Sequence, residues 1–221
     1  LGPRHASGAR FDPLAALALL RQKPVMLATL GYLGHMWELY AMWAWMGSFM
    51  VWAFALHPAS GESKWMTPGF VTFLVVASGA PACVVAGVLA DRVGRPLTTM
   101  AAMGLSGLCA LLIGPLAGFS LSATLLVALV WGATIVADSA QFSASVVELT
   151  DSRYAGTALT LQTCLGFLLT FLIIQALPLV VEAVSWKHAF IFLAIGPLLG
   201  AISMWRLRRM PEAARLAHGQ R

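Results

Sequence analysis

The sequence predicts an all-α membrane protein with six transmembrane helices, and three observations lead there. Hydrophobic residues make up 59% of the 221-residue chain and charged residues only 10%, with a mean hydropathy of +0.81. A soluble domain carries about 25% charged residues. The few charges gather between long apolar runs, and a run of about 20 residues is what a bilayer crossing requires. The basic residues also fall almost entirely on alternate connections, as membrane topology dictates.

Six apolar runs define the spans, at 24–56, 67–90, 97–118, 121–147, 155–181 and 187–207. The first is longer than a bilayer needs, so it either tilts or projects its tail beyond Gly47 out of the membrane. The second carries Gly79-Ala80-Pro81. Pro81 removes an N–H from the helical ladder and predicts a kink there. The fifth follows a charged loop, Glu148 to Ala158, and the sixth ends in the basic stretch around Arg206. These spans divide the chain into three parts. Residues 1–23 form a polar, Pro- and Gly-containing linker with a short apolar patch at 14–20, too short for a cleavable signal peptide. Residues 24–207 form the membrane domain, and residues 208–221 a charged tail.

Orientation follows from the Lys/Arg distribution. Arg4, Arg10, Arg21, Lys23, Arg92, Arg95, Arg153, Arg206, Arg208, Arg209, Arg215 and Arg221 fall on one side, against Lys64 and Lys187 on the other. This bias predicts both termini in the cytoplasm and an even number of spans. Trp43, Trp45, Trp52, Trp65 and Trp186 fall near the outer ends and Trp205 near the inner end, the pattern of an aromatic belt. The net charge of +5 is therefore topological. The basic residues are scattered over several loops without a recognition module, so nucleic acid is excluded as a partner. Cys83, Cys109 and Cys164 lie in separate apolar runs. They offer neither a disulfide framework nor metal-ligand spacing, and no cofactor is expected.

The turn between the second and third spans reads Gly87-Val-Leu-Ala-Asp91-Arg92-Val-Gly94-Arg95-Pro. It resembles the Gly-x-x-x-Asp-Arg-x-Gly-Arg loop of the major facilitator superfamily, matching at Gly87, Asp91, Arg92, Gly94 and Arg95. The segment 31–47, GYLGHMWELYAMWAWMG, is similar to the opening helix of the second half of many bacterial members. The resemblance implies the C-terminal six-helix half of a twelve-helix secondary transporter, built as two three-helix repeats. The linker-like start and charged end agree with that half. It further implies a multi-pass protein of the bacterial inner membrane. Its partners would be membrane lipid, a small-molecule substrate, and an N-terminal half or a second copy.

In that superfamily the first helix of each repeat lines the central cavity, which here selects spans one and four. The residues support the choice independently. His35 and Glu38 lie one turn apart on one face of span one. Trp131, Thr134, Asp138, Gln141 and Ser145 form a polar stripe on span four at spacings of three and four. A charge at mid-membrane costs about 2.5–3.5 kcal/mol on insertion scales and so must face water or a partner. The expected cavity therefore comprises His35, Glu38, Trp131, Thr134, Asp138 and Gln141, with Glu38 carrying a proton and His35 tuning it. Carboxylates there favour a cationic or proton-exchanged solute. Gln162, Thr163 and Gln175 on span five read as packing groups.

A cytoplasmic gate is the second expectation. Glu148 closes span four and Arg153 opens span five, and similar loops in the superfamily pair with the Asp-Arg-x-Gly-Arg turn. Arg92 or Arg95 to Glu148 is the expected pair. Two other readings compete. One is a non-transporting membrane scaffold that reuses the fold. The other rests on Gly104-Leu105-Ser106-Gly107, which resembles the nucleophile motif of six-helix rhomboid proteases, with His188 as partner. Against it, Ser106 lies in span three rather than four, His188 sits at the outer edge beside Trp186, and paired small residues serve helix packing.

Overall fold

The computed structural model describes residues 18–19, 21–58 and 66–219; the expectations for 1–17, Lys64, Trp65 and Arg221 lie outside them. The described residues are helical, with no strand among them. They run α1 (Lys23–Ala55), α2 (Pro68–Ala77), α3 (Gly79–Val93), α4 (Arg95–Ala117), α5 (Leu121–Ala137), α6 (Ser139–Leu149), α7 (Ala155–Val184), the short α8 (Trp186–Ala189), a 3-10 segment Phe190–Ala194, α9 (Ile195–Arg208) and a terminal 3-10 segment Pro211–Gly219. Five stretches are long and apolar enough to cross a membrane: Pro68–Val93, Arg95–Ala117, Leu121–Leu149, Ala155–Val184 and Trp186–Arg208. The chain is a membrane protein on that ground.

Helix α1 is not among those five, although it is an unbroken helix of 33 residues. Its hydropathy is lowered by His35, Glu38 and a run of Trp, Tyr and Gly, and its position explains that composition. It is the central helix, packed against α7, α9 and α6, so its polar groups meet protein and not lipid. The other long helices expose the large apolar side chains expected of lipid-facing surface, among them Val84 and Val85 on α3 and Phe171 and Leu179 on α7.

Helix boundaries follow the local chemistry. Thr67 caps α2 by accepting from the Phe70 N–H, with Pro68 at the first helical position. Ser120 caps α5 in the same way through the Ala123 N–H. The second span breaks at Ser78, three residues before Pro81, as the missing proline N–H requires. The Ser78 hydroxyl lies within hydrogen-bond distance of both Val75 O and Leu129 O, tying the break to α5. Pro178 likewise lies inside α7, and the Ile174 carbonyl it cannot bond accepts the Trp45 indole N–H at 3.1 Å. Such repairs are the condition for proline in a membrane helix. Gly94 ends α3 with φ of 95°, a conformation that favours glycine.

The packing of the elements has a pattern. Helix α1 packs chiefly against α9 and α7, while α5 packs chiefly against α4 and against α2–α3. The first helix of each half of the chain thus lies on the later helices of the other half. Several contacts between helices admit no side chain. A Cβ on Gly132 would overlap the Val75 carbonyl, and one on Gly34 would overlap the Gly196 carbonyl. Helices approach backbone to backbone at such small residues.

Trp45, Trp186, Phe49 and Phe190 form one aromatic cluster with ring centroids 5.0–6.5 Å apart. The residues 208–221, expected as a charged tail, contain the folded segment Pro211–Gly219. Its Ala213 and Leu216 are buried in a cluster that includes Leu149 and Leu207, and Ala217 is buried beside them in the chain.

Candidate functional site

Span four sets the geometry of the buried polar residues. It is broken at Asp138, between α5 and α6, where the backbone adopts φ −91° and ψ −12°. Helix α1 runs beside it, so that Glu38 comes level with Trp131, and His35 with Asp138. All four side chains are buried, Glu38, His35 and Asp138 at 2% exposure each and Trp131 at 0%.

Glu38 accepts two hydrogen bonds, from Trp131 Nε1 at 2.8 Å and from Ser106 Oγ at 2.9 Å. Its carboxylate therefore joins α1, α4 and α5. Ser106 Oγ also lies 3.3 Å from Met103 O. A hydroxyl is both donor and acceptor, so Ser106 serves either protonation state of Glu38. It donates to the carboxylate, or it turns its proton to Met103 O and accepts from the carboxylic acid. Trp131 can only donate, which suits either state.

His35 does not pair with Glu38, contrary to the expectation from their spacing. Its Nδ1 lies 2.9 Å from Asp138 Oδ1, off the line of a good hydrogen bond. Both His35 Nε2 and Asp138 Oδ1 are buried without a hydrogen-bond partner among the described residues. Tyr32 and Phe142 flank the imidazole at 6.2 and 5.6 Å. The reason for the switch is register: two residues one turn apart on α1 meet two residues seven apart across the break in span four. None of Glu38, His35 and Asp138 lines the three grooves described below, and Glu38 is buried against α4 in addition to α5.

The rest of the stripe divides. Thr134 lines an apolar groove of about 450 Å³ with Ser78, Pro81 and Ala137, and its hydroxyl lies 2.8 Å from Val130 O on its own helix. It stands apart from Glu38. Gln141 joins Arg95 instead, its Oε1 accepting from Arg95 Nη1 at 2.7 Å. Ser145 is buried and donates to Gln141 O. Gln162 on α7 is buried with neither amide atom partnered among the described residues, while Thr163 and Gln175 are exposed.

Where a gate is expected, the Arg95 guanidinium grips Glu148 in bidentate form: Nε to Oε2 at 2.9 Å and Nη2 to Oε1 at 2.7 Å. Bidentate charge-assisted pairs are the strong ones, and this one is mostly buried, with side-chain exposures of 15% and 26%. Asp91 lies 3.8 Å away and is 71% exposed. Arg92 is exposed and takes no part. Arg153 does not join either: its backbone N–H donates to Asp151, and its guanidinium lies over Tyr154. Gly87 has open space where a Cβ would lie, so its presence has no steric cause here.

One partner of Glu148 is not expected from the sequence. The backbone N–H of Ala217, in the terminal segment, donates to Glu148 Oε2 at 3.0 Å. The signal was the spacing of Ala213, Leu216 and Ala217, apolar positions in a segment that otherwise reads as charged. Glu148→Ala is expected to release this segment while α4 to α7 stay folded. Hydrogen bonds to charged groups are worth about 1.5–3 kcal/mol. Amide exchange at Ala217 should accelerate at least about tenfold, whereas Asp91→Asn, at an exposed carboxylate that makes no contact with the terminal segment, should leave it unchanged. Equal exchange in wild type and Glu148→Ala would remove Glu148 from the anchoring of the tail.

Ser106 is committed to Glu38 and Met103 O, and His188 is exposed at the start of α8. No group of three His, Cys, Asp or Glu able to hold a metal occurs among the described residues. No protein-family model matches the chain, and no curated protein matches it.

Proposed function

We propose that this chain is one six-helix half of a secondary active transporter of the major facilitator type, moving a small solute by alternating access with coupling to protons. The observation that carries the proposal is Glu38, a carboxylate buried at the centre of the bundle between three spans. Its partners accommodate it ionised or protonated. Intramembrane carboxylates mark proton and substrate pathways. Three features support it. The exchanged packing of α1 and α5 is what two three-helix repeats would produce. Spans two and four are broken at Ser78 and Asp138, as the discontinuous helices of transporters are. Arg95 and Glu148 lock α4 to α6 at the basic end, where an inner gate would lie. In this reading α1 is the first of six spans, both termini are cytoplasmic, and the other half of the site comes from another six-helix unit or a second copy.

The reading has two tests. In a Cys-free background, Asp151→Cys and Ser185→Cys should label from opposite faces of oriented vesicles, Asp151 from inside. Labelling from one face would overturn the topology. The complete polypeptide carrying this chain, in proteoliposomes loaded with a pH-sensitive dye, should move protons on addition of a cationic solute from a panel. Neither proton movement nor counterflow with any member would overturn the transport reading.

A second reading is favoured by one observation: both Glu38 oxygens are bonded to neighbouring helices and the side chain is buried. A membrane scaffold would use Glu38 as a fixed clip between α1, α4 and α5. In a scaffold, its removal costs stability and no flux exists to be lost.

A further inference from the structure

Two grooves meet on the seam between α1 and α9. The first, about 410 Å³, is bounded by Lys23, Arg206 and Arg209 together with Met26, Leu27 and Met210. The second, about 450 Å³, continues along the same seam between Leu30, Leu33, Trp37, Leu199 and Ile202, floored by Gly34 and Gly196. Arg206 lines both.

The chemistry of the two parts differs sharply. Three cations and no carboxylate line the first. Lys23, Arg206 and Arg209 are exposed, and none forms an ion pair among the described residues. Arg209 lies 3.7 Å over the ring of Trp205, which is 42% exposed on the outer surface of α9. A tryptophan at that position marks the headgroup level of a bilayer. The second part is almost wholly apolar. It follows α9 from Arg206 to Gly196, about 15 Å at the helical rise. The two glycines leave it deep, because their backbones touch where side chains would otherwise fill the seam. Unpaired cations at headgroup level, opening onto an apolar channel that descends into the membrane, match one kind of molecule.

We propose that the α1/α9 seam binds a single anionic phospholipid, with its phosphate among Lys23, Arg206 and Arg209 and one acyl chain lying along Leu33, Leu199 and Ile202. The site is distinct from Glu38 and from the gate, and it requires only that the chain span a membrane. Charge selects the headgroup, since a zwitterionic lipid returns a positive group to a basin that already holds three. The groove selects a lipid over a free phosphate, since a soluble anion gains nothing from the apolar half. Basic pockets between helices at the membrane surface recognise anionic headgroups on these grounds.

The test is lipid occupancy of the purified protein by native mass spectrometry, with phosphatidylglycerol and phosphatidylcholine of identical chains offered in equal amounts. Phosphatidylglycerol should be retained preferentially, and glycerol 3-phosphate at the same concentration should not displace it. Each cation near the surface is expected to contribute about fivefold, so Arg206→Gln with Arg209→Gln should lower occupancy at least tenfold. Lys187→Gln, at the opposite end, should leave it unchanged. Ile202→Trp should fill the channel and lower occupancy with the cations intact. Equal occupancy by the two lipids in the wild-type protein would overturn the proposal whether or not the variants fold. Displacement by glycerol 3-phosphate would reduce the site to an anion site without a lipid. Unchanged phosphatidylglycerol occupancy in a folded double arginine variant would place the lipid elsewhere.

Discussion

Gly132→Ala is expected to destabilise the protein by about 3 kcal/mol or more, the top of the range for overpacking. The cause is not loss of flexibility. A Cβ at this position would overlap the Val75 carbonyl and crowd the Ser78 hydroxyl, and neither can retreat. Val75 O already lies within hydrogen-bond distance of Ser78 Oγ, which also reaches Leu129 O. The added carbon must therefore push α5 away from the break in span two. For a chain of this size about 3 kcal/mol corresponds to about 6 °C or more in the unfolding midpoint, measurable in detergent by a thermal-shift assay. Gly104→Ala makes the same chemical change on α4 where nothing lies within 4 Å. It should be neutral, or stabilising by up to about 1 kcal/mol, because alanine restricts the unfolded chain and favours the helix. The opposite signs are the content of the prediction. A Gly132→Ala variant as stable as Gly104→Ala would show that α5 does not rest on Val75 in the way described.

Much of the fold is legible in the sequence because membrane helices announce themselves by length and hydropathy. Pro81 signals the break at Ser78 because its missing N–H leaves a gap in the helical ladder, whereas at Pro178 the Trp45 indole fills that gap and α7 runs on. Arg95 and Glu148 are legible as partners because two charges at the ends of adjacent spans have few alternatives. The residues that were misplaced share a different cause. His35 and Glu38 lie on one face of α1, but which partner each meets depends on the register between α1 and span four. That register is set by close contacts and by the break at Asp138. The same break turns Gln141 away from Glu38 and toward Arg95. Ser106 escaped notice as a partner of Glu38 because a serine between two glycines reads as packing. The docked terminal segment was hidden by composition: Glu212 and Arg215 within it and Arg208 and Arg209 before it make the stretch read as a charged tail, and only three apolar positions hold it. Helix α1 is the converse case. Its polar and aromatic content makes it less apolar than the other five long helices, and its contacts with α6, α7 and α9 account for that content.

Glu38→Gln is expected to abolish proton-driven solute uptake while leaving the fold and solute exchange in place. The substitution suits this site unusually well. A glutamine Oε1 still accepts from the Trp131 indole, and its amide can donate to Ser106 Oγ, whose own proton has Met103 O within 3.3 Å. Shape and hydrogen bonding are kept, so stability should change by less than about 1 kcal/mol, as for volume-conserving core substitutions. What disappears is a proton that can come and go. If Glu38 carries it, uptake against an imposed pH gradient in proteoliposomes should fall to background, while counterflow, which needs no net proton movement, continues. Asp138→Asn is the necessary companion. It acts on the His35 contact, 2.9 Å from the imidazole, and leaves the Glu38 bonds untouched. If coupling survives Glu38→Gln but fails in Asp138→Asn, the proton passes through the His35 pair, whose buried Nε2 and Oδ1 lack hydrogen-bond partners. If both variants couple normally, the buried carboxylates are clips between helices, and the scaffold reading takes precedence. A loss of folding in Glu38→Gln would point the same way, because a site that tolerates both protonation states of the acid should also tolerate the amide.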